Sequence, residues 1–217
     1  MPELLYLLWQ PLLETILMVG ASSMIAVLLG APLGLALYLM GPGGLAERPG
    51  LRRVLDRIVN AFRSFPFIIL MILLFPLSRL IIGTSIGTAA AIVPLSIAAT
   101  PLVARLAESA FSGVDRGIIE ASVAAGATRR RIALSVLVPE ALPSLVSGLS
   151  LTIINLIGYS AMAGAIGGGG LGDLAVRYGY QRFRTDVMIA SVLAILVLVE
   201  GIQAWSAAIV RRILARR

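Results

Sequence analysis

The chain has 217 residues, of which 59% are hydrophobic, with a formal net charge of +7 and a mean hydropathy of +0.97. This apolar share exceeds that of soluble domains and predicts an integral membrane protein. All 18 basic residues are arginines, and lysine, histidine and cysteine are absent. This excludes a phosphate-binding loop, histidine-based nucleophiles and the usual zinc sites. We expect no metal and no cofactor on this chain, and any use of ATP would require another chain.

Five apolar segments are long enough to cross the hydrocarbon core of a bilayer, which takes about 20 helical residues. They predict an all-α membrane fold with a single domain over residues 1–217. The second span is the weakest, because Asn60, Arg63 and Ser64 dilute its first turns, and Arg63 would then extend to the interface. The predicted spans are residues 12–40, 58–77, 86–106, 141–166 and 187–210.

The first span contains a pair of glycines and a proline. Gly30 and Gly34 form a GxxxG pair, which allows two helix backbones to approach closely, and we interpret the pair as a packing contact. Pro32 interrupts this span, and prolines in the second and third spans predict further bends.

The arginines predict the orientation, because cytoplasmic loops are enriched in basic residues. Fourteen lie on one side, which we predict to be cytoplasmic, so that the N-terminus is outside and the C-terminus inside. These are Arg48, Arg52, Arg53, Arg57, Arg63, Arg105, Arg116, Arg129, Arg130, Arg131, Arg211, Arg212, Arg216 and Arg217. The other four are Arg79, Arg177, Arg182 and Arg184. The eighteen arginines flank the spans and do not line one face of the protein. We therefore expect contact with membrane lipid and no nucleic-acid partner.

A polar, helix-prone segment, residues 120–143, begins between the third and fourth spans. Asp115 and Thr128 are predicted N-caps of two short helices that are hinged at Gly126. The apolar positions favour two interpretations equally: the segment docks a partner, or it lies on the membrane surface as an amphipathic helix.

The fourth span carries a polar stripe. Asn155 and Tyr159 are one helical turn apart and share a face. Together with Ser160 they are candidates for lining a translocation pathway, and interhelical hydrogen bonding is the alternative. Met162, near the end of the span, is the candidate for an apolar gate.

Two further features lie closer to the C-terminus. Residues 167–172 are glycine-rich without a phosphate-loop lysine, and they predict an irregular segment near the mouth of a pathway. Glu200 in the fifth span needs a partner in an apolar environment, and Gln203 lies three residues further on.

The polar segment resembles the EAA loop of the membrane subunits of ABC importers, which has the pattern E-A-A-x3-G-x9-I-x-L-P. Here it stands as Glu120-Ala121-Ser122, then Gly126, then VLVP at residues 136–139. Serine replaces the second alanine, and two valines replace isoleucine and leucine. In that family the loop is a coupling helix seated in a groove of the ATP-binding subunit. The resemblance implies a coupling loop over residues 115–139 whose contact residues are Glu120, Ala121, Ser122, Gly126, Ala127, Arg131 and Pro139.

Other segments are similar to the membrane subunits of methionine importers. They are FRSFPFIIL at residues 62–70, GTSIG at 83–87, GYSAM at 158–162, and the glycine-rich segment followed by RYGY at 177–180. The resemblance implies a non-catalytic permease for L- and D-methionine in the bacterial cytoplasmic (inner) membrane. It also implies a homodimer, two ATPase subunits that bind ATP and Mg on the cytoplasmic side, and an external substrate-binding lipoprotein.

Three alternatives stay open at this point. The first is a related ABC importer permease for another small solute. The second is an ATP-independent secondary transporter or channel, which would need paired ionisable groups in mid-membrane, and only Glu200 fits. The third is a membrane enzyme, for which only sparse carboxylates, hydroxyls and arginines remain.

Overall fold

The computed structural model describes residues 2–215, and all the regular secondary structure in that range is helical, with no strand. Arg216 and Arg217, which contribute to the predicted orientation, lie outside the described residues. The helices are α1 Pro2–Leu39, α2 Pro49–Ser64, α3 Phe67–Ile82, α4 Thr88–Ser112, α5 Arg116–Ala124, α6 Arg129–Ile132, α7 Val138–Ala165, α8 Gly170–Leu174 and α9 Thr185–Leu214. Two π-helical segments, Ala133–Leu137 and Ala175–Tyr180, precede α7 and follow α8.

Four helical segments are long and apolar enough to cross a membrane: Tyr6–Leu39, Thr88–Ser112, Arg129–Ala165 and Thr185–Leu214. They contain the central residues of the first, third, fourth and fifth predicted spans. Pro32 does not interrupt the first of them, since α1 continues through it to Leu39. A fifth span exists only if the sharply bent pair α2 and α3 counts as one.

The second predicted span, residues 58–77, is strongly bent. It crosses a break at Phe65 and Pro66, where α2 and α3 meet at an angle of 106°. A proline disfavours helical backbone in the residue before it, and Phe65 is accordingly extended, with φ −72° and ψ 131°. Arg63 therefore lies beside the break, in the last turn of α2.

The GxxxG pair packs α1 against α4. A Cβ atom on Gly30 would lie 2.6 Å from the carbonyl oxygen of Thr100, and one on Gly34 would lie 2.3 Å from that of Ala104. Both distances are too short for any side chain, so the two backbones touch. Small residues at such positions drive helix association in membranes, where burial from water contributes little.

The glycine-rich segment is held by side chains of α1. Gly169 and Gly170 have φ values of 79° and 80°, which only glycine adopts readily. The Glu14 carboxylate accepts a hydrogen bond from the Gly170 amide at 2.8 Å, and the Thr15 hydroxyl accepts one from the Leu171 amide at 2.9 Å. These bonds cap the first turn of α8 and fix the turn after α7 against α1.

We predict that Gly34→Val separates α1 from α4 and lowers the free energy of unfolding by about 1–3 kcal/mol, the usual cost of overpacking. Thermal unfolding of the purified protein in detergent measures this. Gly20→Val is the matched control, because a Cβ on Gly20, in the same helix, has no heavy atom within 4 Å. Equal melting temperatures for the two variants would contradict the α1–α4 contact.

Candidate coupling and translocation sites

The polar loop begins with a capped helix, as the sequence predicts. The Asp115 carboxylate accepts a hydrogen bond from the Gly117 amide at 2.6 Å, at the start of α5. The Thr128 hydroxyl accepts one from the Arg131 amide at 3.3 Å, at the start of α6. Both predicted N-caps are confirmed, because the pattern depends only on residues within one turn.

Gly126 forms the turn between the two helices. Its φ of 76° is in the left-handed region, and its amide donates to the Val123 carbonyl at 2.9 Å. The next amide, of Ala127, donates to the Ser122 carbonyl at 3.1 Å. A Cβ on Gly126 would have no heavy atom within 4 Å. The glycine is therefore required by the backbone conformation and leaves the outer side of the turn open.

The prediction of two separate short helices is wrong for the second one. From Arg129 the chain stays helical through the π-helical segment into α7, and the combined helix ends at Ala165. The Val138 amide donates to the Ala133 carbonyl, five residues back. This wider turn accommodates Pro139, which has no N–H and whose ring would crowd the preceding turn of an α-helix. The second half of the loop is thus continuous with the fourth span.

The residues of the predicted coupling loop lie mostly on the surface. Glu120, Ala121, Gly126, Arg131 and Pro139 are exposed, whereas Ser122 and Ala127 are half-buried. The Ser122 hydroxyl donates within α5, to the Ile118 carbonyl at 2.7 Å. No residue of α5 is buried, and Ile118 and Val123 leave 43% and 52% of their surface uncovered. Of the apolar side chains of α5, Ile119 packs against the buried cluster that includes Phe111 and Ile132, whereas Ile118 and Val123 remain largely uncovered.

A cavity of about 390 Å³ separates α5 from the body of the protein. Glu120 and Arg116 line it from α5, and Arg52 and Glu108 line it from α2 and α4. The loop between α1 and α2 closes its remaining side. Polar and charged groups therefore surround the inner side of the coupling loop.

An ion-pair network that the sequence did not predict joins α2 to α4. Arg105 contacts Glu108 at 2.6 Å and Asp56 at 2.8 Å, and it donates to the side-chain oxygen of Asn60 at 3.0 Å. Arg52 contacts Glu108 at 3.1 Å and Asp56 at 3.7 Å. The four charged side chains are only 13–29% exposed, so solvent screens them less than surface pairs. The network fixes α2 to the end of α4 that leads into the coupling loop.

We predict that Arg105→Gln leaves two partly buried carboxylates poorly compensated. The free energy of unfolding should fall by about 1–3 kcal/mol, which lies between the cost of breaking an exposed ion pair and that of breaking a buried one. Thermal unfolding in detergent measures the effect. Arg57→Gln, also on α2, is the control, because Arg57 is exposed and forms no hydrogen bond or ion pair among residues 2–215. A loss no larger than that of the control would show that the network does not hold α2.

The candidate pathway residues on α7 fall into two groups. Asn155, Tyr159 and Met162 recur at helical spacing on one face, and Met162 is 49% exposed. The Tyr159 ring stacks on the ring of Phe67, with centroids 4.4 Å apart and planes at 6°. Ser160 does not share this face, because it is buried on the opposite side and donates to the Ile157 carbonyl at 2.8 Å. The predicted stripe therefore loses Ser160.

A second, smaller cavity lies beside Asn155 and Tyr159. It measures about 180 Å³ and reaches the break between α2 and α3, where Arg63 and Phe65 line it. Glu200 is distant from this site: it is exposed on α9, and among residues 2–215 it forms neither the expected hydrogen bond with Gln203 nor any ion pair.

Comparison with known proteins shows close relatives over most of the chain. A family model for the inner membrane component of binding-protein-dependent transport systems matches residues 30–215. The probable D-methionine transport system permease protein MetI of Vibrio cholerae serotype O1 is 46% identical, over 92% of this chain and 89% of that protein. The D-methionine transport system permease protein MetI of Escherichia coli K12 is also 46% identical, over 74% of each chain.

Solved structures of ABC transporters contain chains with a similar fold. An inward-facing structure of the MetNI methionine ABC transporter contains a chain with a TM-score of 0.96 and 43% identity, and the match covers 98% of this chain and 99% of that one. An amino acid ABC transporter with histidines has a TM-score of 0.77 at 21% identity, which supports the fold alone.

The long spans, the bent fifth and the exposed helical loop define a multi-pass membrane component of a transport system. The chain belongs to the family of binding-protein-dependent transport system inner membrane components, which places it in the inner membrane. The predictions of an all-α membrane fold and of an ABC importer permease are thereby confirmed.

Proposed function

We propose that this chain is the permease subunit of an ATP-binding-cassette importer and forms the path by which methionine, L- or D-, enters the cytoplasm. The similarity to MetI permeases across nine tenths of the chain carries the proposal. The chain itself is not an enzyme, and ATP and Mg belong to a separate ATPase subunit.

The proposed assembly contains two copies of this chain, two ATP-binding subunits on the cytoplasmic side and an external substrate-binding lipoprotein. The ATPase would seat on α5, whose apolar side chains Ile118 and Val123 remain half-exposed. The distribution of the arginines supports an outside N-terminus and a cytoplasmic C-terminus, which puts α5 on the side where ATP is available.

In the proposed mechanism, ATP binding moves the ATPase subunits together and displaces α5 as a rigid body. Two routes carry this displacement into the membrane. One is the continuous helix Arg129–Ala165, which follows directly after the Gly126 turn. The other is α4, which precedes α5 and holds α2 through the ion pairs Arg105–Asp56 and Arg52–Glu108. Both routes use packed elements joined by contacts, which can carry a movement from one site to another.

Uptake by the complete complex tests the function. We expect vesicles that contain this chain, its ATPase and its binding protein to accumulate methionine only when ATP is supplied. Vesicles with this chain alone should accumulate none. Uptake by the chain alone would contradict the ABC mechanism in favour of a secondary transporter, and ATP-driven uptake of a different solute only would contradict the substrate.

We predict that Gly126→Val lowers ATP-driven uptake at least tenfold while membrane insertion stays intact. A β-branched residue in the left-handed conformation costs about 1–2 kcal/mol, so the turn is distorted where α5 must move with α7. Uptake per ATP hydrolysed is the measurement.

Two further variants give this experiment its controls. Gly126→Asn adds a side chain of similar size that tolerates the left-handed conformation, and it should retain most uptake if the backbone is what matters. Gly50→Val alters another open glycine, on α2, with no heavy atom within 4 Å of its Cβ. Normal coupling in Gly126→Val would contradict a role for the turn.

A further inference from the structure

The break between α2 and α3 opens onto the cavity of about 180 Å³. A molecule of liquid water takes about 30 Å³, so this volume corresponds to about six waters, the scale of a small solute. Its walls come from four elements that are far apart in sequence: α2, α3, α4 and α7. The lining includes Phe62, Arg63, Phe65, Ala98, Asn155 and Tyr159.

Arg63 is the cation of this cavity, and it has no carboxylate partner within residues 2–215. The two arginines of the nearby ion-pair network, in contrast, are paired. Arg52, on the same helix as Arg63, and Arg105, on α4, each contact two carboxylates. An arginine left unpaired beside a membrane span is available to a carboxylate that arrives with a solute.

The first turn of α3 adjoins the same cavity, which Phe67 and Leu70 line. Its N-cap is Pro66, whose side chain accepts no hydrogen bond, and the amides of Ile69 and Leu70 donate back to the Pro66 carbonyl. Among the described residues, the amides of Phe67 and Ile68 have no partner. Half-helix N-termini of broken membrane helices favour the carboxylates of substrates.

Apart from Asn155, the rest of the cavity wall is apolar and largely aromatic. Phe62 and Phe65 stand on the α2 side, and the stacked pair Phe67 and Tyr159 stands opposite. A flexible thioether makes favourable contacts with such rings. Asn155 supplies an amide that can accept from an ammonium group. The cavity thus combines an anion-binding end with an apolar, aromatic surface.

We propose that this cavity is a substrate site on the permease, which holds a free amino acid with a flexible apolar side chain during its passage. The carboxylate contacts Arg63 and the first turn of α3, and the side chain lies among the aromatic rings. This inference rests on the proposed function, since methionine is an amino acid of this class.

Protection of an introduced thiol from a maleimide tests the site, because the native chain contains no cysteine. Ala98→Cys places a thiol in the cavity wall. The permease–ATPase complex, without the binding protein, is labelled in nanodiscs, and the permease band is separated on a gel. We expect millimolar methionine to slow labelling at least threefold, and methioninamide, which lacks the carboxylate, to have no effect.

Variants at two positions make the test specific. Leu142→Cys lies at a different, apolar cavity and should show no protection. In the Ala98→Cys background, Arg63→Gln should abolish protection and Arg63→Lys should retain part of it, because the charge remains but the planar, bidentate group is lost.

Three results would overturn the site. The first is an equal labelling rate with and without methionine in a complex that imports methionine, which removes the site and leaves the proposed function standing. The second is equal protection by methioninamide. The third is that Arg63→Gln changes uptake only when anionic lipid is present, while methionine does not protect the thiol of Ala98→Cys from labelling. This result would assign Arg63 to a lipid headgroup. Absent methionine uptake by the unaltered complex would instead contradict the proposed function.

Discussion

The hydrocarbon core offers no water to backbone N–H and C=O groups, so a membrane helix can end only where protein supplies partners or lines a cavity. Two breaks within the described residues illustrate the two cases. After α7, the side chains of Glu14 and Thr15 bind the amides of Gly170 and Leu171, and that break is sealed. Between α2 and α3 no side chain caps the new helix, and the break faces the smaller cavity. The unsealed break is the one with room for a solute.

Features that depend on neighbouring residues could be predicted from the sequence, and those that depend on distant contacts could not. Hydropathy was sufficient to predict four of the spans, and the pattern of local hydrogen bonding was sufficient to predict the N-caps at Asp115 and Thr128. The proline at 66 predicts a bend, but the angle of 106° could not be predicted, because a mild kink is compatible with a proline as well and tertiary packing decides between them. The pair of Arg105 and Asp56 spans almost fifty positions, and no local signal links the two residues. Ser160 was misplaced because proximity to Tyr159 in sequence does not place it on the same helix face.

The charges on the α2–α4 side divide into two groups with different consequences. Arg52, Arg105 and their carboxylates neutralise one another at low exposure, so they attract little from outside and act as a tie between helices. Arg63 lies at the end of the same helix and contacts no carboxylate among residues 2–215. It is therefore the cation that a mobile anion would meet in the smaller cavity. The ion-pair network also holds α2, and with it Arg63, in a constant position relative to α4.

The elements that would receive the movement of an ATPase are also the elements that enclose the smaller cavity. Helix α5 has no buried residue, and its Ile119 packs against the buried cluster that includes Phe111 and Ile132. Its two neighbours in sequence are α4, which contributes Ala98, and the continuous helix that contributes Asn155 and Tyr159. The ion pairs make α2 follow α4, whereas α3 is joined to α2 only through the extended residues at the break. A displacement of α5 would therefore change the distance between Arg63 and the α7 wall. Under the proposed function, a site formed between these walls would lose its solute when they separate, without any change in the charge of a side chain.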